Sequence, residues 1–193
     1  MRVEIAVELE ESSERLELPW ENPGQGTRYF DLREDPRAIA RVEPARRNVP
    51  LRAFLVAVNS DDSFFASARA KTWKTQDESA SAVEPFEFAF QVDLVFALEQ
   101  FNFERGHFEN VARQLEQLLA RDTPGDAMRS RLCVRACHFR ASGRWGFCLA
   151  CQLFARGASA EQAELRWGLV LARLQQALLF VSRVVRQQIA QVS

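Results

Sequence analysis

The chain has 193 residues, of which 47% are hydrophobic and 26% charged, the composition of one ordinary folded domain and not of a disordered segment. Its net charge of −1 is not that of a phosphate-binding protein, which carries a strongly basic surface. No apolar run reaches the ~18 residues that span a bilayer, and residues 1–10 carry glutamates in place of an apolar block, so neither a membrane segment nor a signal peptide is expected.

The opening residues alternate. Val3, Ile5, Val7 and Leu9 share one face, and Glu4, Glu8 and Glu10 the other. Leu16, Leu18 and Trp20 repeat the pattern after a polar connection at 11–14, so residues 1–30 read as a peripheral hairpin followed by the loop 22–27 (NPGQGT). Asp35-Pro36 is a helix start, since the aspartate accepts a backbone N–H and proline fits the first helical position. That helix should stop before Pro44. A second helix begins near Pro50, where Leu51, Phe54, Leu55 and Val58 recur at helical spacing, and Asn59 to Asp62 end it.

A strand over 64–74 and a polar loop over 76–83 follow. The strand 86–98 has the clearest pattern in the chain. Phe86, Phe88, Phe90, Val92, Leu94, Phe96 and Leu98 take every second position, with Glu87, Gln91 and Asp93 between them. One face should be buried and the other partly wet. Phe108, Val111, Leu115, Leu118 and Leu119 mark a helix over 107–121, stopped by Asp122-Thr123-Pro124-Gly125.

Residues 131–140 and 145–156 form a hairpin around Ala141-Ser142-Gly143-Arg144. With Arg140 opposite Trp145, Leu132, Val134, Ala136 and His138 share a face with Leu153, Cys151, Leu149 and Phe147. A one-residue shift would bury Arg135, which costs several kcal/mol. Ser159 with Gln162 three residues on opens the last helix. It runs to about residue 188, ~45 Å at the α-helical rise.

The fold class is α+β, an antiparallel sheet packed against helices in the order (ββ)-α-β-β-α-β-β-α, with a long C-terminal helix. Residues 1–193 are one domain, with 1–30 peripheral and 31–193 the main body.

Chemistry is sparse. Cys133, Cys137, His138, Cys148 and Cys151 are the one cluster of metal-ligand residue types. Residues three apart on a strand point to opposite faces, so Cys148 and Cys151 diverge and the core reading outweighs zinc. In the stated register Cys137 lies opposite Cys148. His107 and His138, the only histidines, form no dyad with a nucleophile, and no phosphate-binding or hydrolase motif occurs. Glu87 and Asp93 read as solvated charges on an exposed strand face. No catalytic residue, cofactor or metal is expected. Arginine outnumbers lysine 23 to 2, which with the abundant alanine points to a GC-rich bacterial genome. Residues 129–193 hold ten arginines against Glu161 and Glu164. Arg166 and Arg173, and Arg183 and Arg186, lie on the last helix, but without lysine or interleaved aromatics nucleic acid is disfavoured.

One stripe points to a partner. Trp167, Leu171, Leu174, Leu178, Val181 and Val185 alternate spacings of four and three on the last helix, flanked by Val170, Ala177, Phe180 and Val184. Either this seam is core, or part of it covers another chain. Strands of five or six residues cover only ~20–25 Å of a helix, so a portion facing a partner is expected, and with it a homodimer.

The element order, the strand pair carrying Gly143-Arg-Trp-Gly-Phe-Cys-Leu-Ala-Cys-Gln-Leu-Phe, and Gly157-Ala-Ser-Ala-Glu-Gln leading into the long helix resemble the C-terminal half of type III secretion chaperones and of bacterial sensory transduction regulators. The resemblance spans about residues 50–190. It implies a non-enzymatic, cytoplasmic, chaperone- or adaptor-like protein that binds a protein partner as a homodimer. The alternative is a small-molecule-binding domain or enzyme, with a pocket between the 86–98 strand and the helices lined from the chain's fifteen phenylalanines.

Overall fold

The computed structural model describes residues 2–8, 16–21, 28–77, 83–120 and 127–192. Leu9, the connection 11–14, the loop 22–27, residues 78–82 of the expected loop and the helix stop at 122–125 lie outside these residues.

A mixed sheet of six strands packs against three helices, with a fourth, short helix beside the first of them. Its strands are β1 (Arg2–Glu8), β2 (Glu17–Leu18), β3 (Phe65–Gln76), β4 (Phe86–Phe96), β5 (Met128–Phe139) and β6 (Arg144–Gly157). The order across the sheet is β1-β5-β6-β4-β3, with β2 also on β5. The helices are α1 (Glu43–Arg47), α2 (Val49–Val58), α3 (Arg105–Ala120) and α4 (Ala160–Val192), with short 3-10 turns at Pro36–Arg41 and Glu99–Phe103. The α+β class and the order of the main body are as the sequence implies.

The 3-10 turn at Pro36–Arg41, α2 and α4 each start at a side-chain cap. Asp35 accepts from Arg37 N at 3.1 Å, and Asn48 accepts from Leu51 N at 3.0 Å ahead of Pro50. Ser159 accepts from Gln162 N at 3.2 Å, while Gln162 Oε1 reaches back to Ala158 N at 2.7 Å, a capping box closed one residue early. Strand β4 stops at Phe96, short of Leu98, because the Asn102 side chain takes both backbone groups of Phe96, at 2.7 and 3.0 Å.

The main core lies between the helices and one face of the sheet. Phe88, Phe90, Val92, Leu94 and Phe96 all point into it. Phe90 meets Phe54 of α2 edge-on with centroids 5.7 Å apart, and Phe96 meets Phe108 of α3 at 4.6 Å.

The N-terminal strands are not a hairpin. Both β1 and β2 pair in parallel with β5, Ile5 opposite Leu132 and Leu18 opposite Phe139. Period two identifies a strand but not its neighbour, and here each finds an open edge of β5. Val3 and Ile5 pack on the main core, and Leu16 and Leu18 cover the opposite face of the sheet. Residues 2–8 and 16–18 are therefore integral to the sheet, not peripheral.

The last hairpin keeps its expected facing but not its register. Leu132 lies opposite Cys151 and Phe139 opposite Arg144, two residues off the expected pairing. A two-residue slip leaves every side chain on its own face, so burial alone does not choose between the two. The turn chooses, with Gly143 at φ 65° closing it immediately before β6. Cys137 consequently faces Gly146, and Cys148 faces Arg135.

Candidate functional site

The α4 stripe belongs to the chain's own core. Trp167, Leu171, Leu174, Leu178 and Val181 are all fully buried, and Val185 packs at the core's margin. The Trp167 ring lies 4.6 Å from Phe88 and 5.9 Å from Phe90, centroid to centroid. Further along, Ser182 Oγ accepts from Phe64 N at 2.9 Å. The expectation failed on strand length. Strands β4 and β6, at 11 and 14 residues, run under α4, and α2 and α3 pack along it as well. By length and composition α4 is also apolar enough to cross a membrane, with a window of mean hydropathy 1.4, and its buried side here is the seam on the sheet.

A different stripe on α4 is exposed. Leu165 (69%), Leu169 (59%) and Phe180 (47%) look outward, with Ala172 and Gln176 continuing the line between them. Their spacings of four, three, four and four keep them within one helical face. Val49 and Val56 of the neighbouring α2 are exposed too. α2 lies close alongside, since Asn48 Nδ2 donates to Glu164 Oε1 at 3.0 Å and Pro50 sits against Gly168. Beside Phe180 is a depression of about 590 Å³, walled by Leu118 of α3 and by Ala177 and Arg183 of α4. The first turn of α4 carries Glu161, whose carboxyl is held below its usual range by its own backbone N–H and then by Ser159.

The four cysteines are free and buried. Cys151 points into the main core, while Cys137 and Cys148 pack with Leu16, Leu18 and Ala68 on the opposite face. The Cys148 thiol is pushed well up by a hydrogen bond with Cys137 and then by burial, and Cys151 is pushed up by burial. Among the described residues no group of three or more His, Cys, Asp or Glu side chains is placed to hold a metal. Thiols so buried should resist a disulfide reagent in the native chain at mildly alkaline pH. All four should react in denaturant. Fast native labelling of two or more would show that the 16–20 cover opens readily.

Asp93 is not solvated. It is fully buried, accepting from Arg69 Nε at 2.6 Å and from Gln91 Nε2 at 2.8 Å. Gln152 Nε2 extends the chain to Gln91 Oε1 at 3.0 Å, and Trp20 lies over the Arg69 guanidinium. Glu87 is engaged elsewhere, by Arg129 at 3.2 Å and Arg156 at 3.3 Å. The two carboxylates are thus each neutralised by arginine and do not form an acid–base pair. What the alternation could not reveal is the cover that residues 16–20 lay over this face.

The space between β4 and the helices is filled by Phe54, Phe88, Phe90 and Trp167, not left as a pocket. A cavity of about 360 Å³ lies instead beside β3, the edge strand. Ser67 to Ala70 form one wall, the 28–32 and 41–44 segments another, and Trp20 and Leu55 close it. Tyr29, the chain's single tyrosine, is pushed up to about 12 by burial and then by Asp31 and Glu34. The folded chain therefore holds this proton more tightly than the unfolded chain, whose phenol titrates near 10.0. That contribution to stability is whole below the unfolded value and is lost as pH rises through the folded one. Phenolate absorbance should show a midpoint near 12 in the native chain and near 10.0 in denaturant. Coincident midpoints would place Tyr29 in open solvent.

No protein-family model, no characterised protein and no solved structure matches this chain.

Proposed function

We propose that this chain is a non-enzymatic protein-binding domain of the chaperone or adaptor kind, working as a homodimer whose copies meet along the outer face of α4. The observation that carries the reading is the self-complementarity of that face. Set two α4 helices antiparallel across a two-fold axis near Ala172, and Leu165 of one meets Phe180 of the other. Leu169 then meets Gln176, and Glu161 comes beside Arg183. A projecting leucine faces the depression walled by Leu118, Ala177 and Phe180, and an acidic first turn faces a basic last stretch. Small Ala172 sits where the helices cross. An isologous contact needs this kind of pairing, residue i with j and j with i.

Fully burying each of the three side chains is worth ~1.5–3 kcal/mol, less what is already covered. The two-fold counts each twice, against an association cost of ~4–15 kcal/mol. The two sums are of comparable size, so the contact makes a weak dimer, about tens of micromolar at its tightest. The secretion-chaperone likeness belongs to the same proposal, because a chaperone holds another chain's apolar segment and α2 offers Val49 and Val56 beside the pair. So does a cytoplasmic location, where buried thiols stay reduced.

Light scattering over a concentration series should approach twice the chain mass of 22.0 kDa at about hundreds of micromolar, falling towards one chain on dilution. A monodisperse monomer up to about a millimolar would overturn the proposal.

A further inference from the structure

We propose that the cavity beside β3 binds a small anion with a flat apolar body, an aryl carboxylate in chemical class. Its volume of about 360 Å³ stands near the lower end of ligand cavities, which suits one or two fused rings. Trp20, Tyr29 and Phe30 contribute ring surface, and Leu32 and Leu55 an apolar floor. An apolar ligand alone would need nothing more.

The charges set the class. Arg28 and Arg41 both line the cavity, and among the described residues neither has a carboxylate partner. Arg41 lies over the Phe30 ring, 4.4 Å from its centroid, which keeps its guanidinium at the cavity wall. The third arginine, Arg69, is neutralised by Asp93 at 2.6 Å. The one acid in the lining, Glu43, is turned to Arg46 at 3.3 Å and Arg47 at 2.7 Å. Of the charged side chains that line the cavity, those without an opposite charge among the described residues are thus Arg28 and Arg41, whose fork suits a carboxylate, while Asp31 and Glu34 act on Tyr29 from outside the lining. Tyr29 adds a hydroxyl that stays protonated across the physiological range and finds no hydrogen-bond partner among the described residues. Rings with an arginine fork at the rim describe a ligand with an aromatic body and an acid at one end.

The site is separate from the outer face of α4, so it stands or falls independently of the dimer. The test uses the full chain and 2-naphthoate as the probe in titration calorimetry, with 2-naphthamide as its neutral isostere. One saturable site per chain is expected, with the amide bound at least about tenfold more weakly, the worth of one charge-assisted contact. Arg41→Gln should lower naphthoate affinity about tenfold and leave amide affinity nearly unchanged. Both arginines are exposed, so Arg28→Gln and Arg41→Gln should keep the native thermal transition. The proposal is overturned by no saturable binding at millimolar probe, by equal affinity for acid and amide, or by naphthoate binding that neither arginine variant alters.

Discussion

Replacing Asp93 with alanine should destabilise the chain by about 3–5 kcal/mol, a large share of the ~5–15 kcal/mol that holds a domain of this size together. The carboxylate is fully buried, and the Arg69 side chain it pairs with is 7% exposed. Removing the acid takes the Asp93 carboxylate from a guanidinium under Trp20, and an acceptor from the Gln91 amide as well. The cost is that of breaking a buried pair from one side, not the net worth of the pair. A double replacement, Arg69→Met with Asp93→Leu, should therefore recover most of the loss. Gln91→Lys should be severe too, since the position is 2% exposed and would bring a second cation beside Arg69. Urea unfolding followed by circular dichroism reads all three. A cost below about 1 kcal/mol for Asp93→Ala would mean the carboxylate is solvated, as surface ion pairs are.

Strand β4 also shows how far a sequence reveals its own fold. The alternating phenylalanines identify the face that the helices cover, and that reading stands. The positions between them read as wet because they are polar, yet Ala89, Gln91 and Asp93 are all buried. A polar residue on a strand is consistent with solvent or with a satisfied buried network. Only the tertiary cover distinguishes them, and for the Arg69–Asp93 pair that cover includes Trp20, some seventy positions away in the chain. A local hint exists, since Ala89 and Gln91 are neither of them the lysine or glutamate that a wet face favours. The same limit explains β1 and β2. Their alternation marks them as strands, but parallel pairing to β5 is a long-range choice that leaves no local trace. The α4 seam was legible as a seam, since every one of its residues lies at or within the core. Assigning it to a partner rested on an assumed strand length that β6, at 14 residues, exceeds. The outer stripe is harder to see, because Ala172 and Gln176 interrupt it and only three of its residues are large and apolar.

Replacing Leu165 with glutamate should halve the solution mass, to the 22.0 kDa of one chain, and leave the fold intact. The side chain is 69% exposed in the chain itself, so a charge there costs the monomer little. In the antiparallel α4 pair it would enter the depression beside Phe180 of the other copy, where an unpaired carboxylate must lose its water. Two such substitutions occur across each two-fold contact, and together they outweigh the small surplus that holds a weak dimer together. Leu178→Glu is the opposite control. Leu178 is fully buried under the sheet, so that variant should unfold instead of dissociating. Phe180→Glu should behave as Leu165→Glu does, because the axis pairs the two positions. Combining Leu165→Glu with Phe180→Arg then tests the pairing itself. Each carboxylate would face a guanidinium of the other copy, and the dimer should return in part, more strongly at low salt. A dimer that survives both single replacements would place the contact on another surface. Monomers in the two single variants, with recovery in the double one, are what a two-fold axis near Ala172 requires, since no other arrangement brings positions 165 and 180 of different copies together twice.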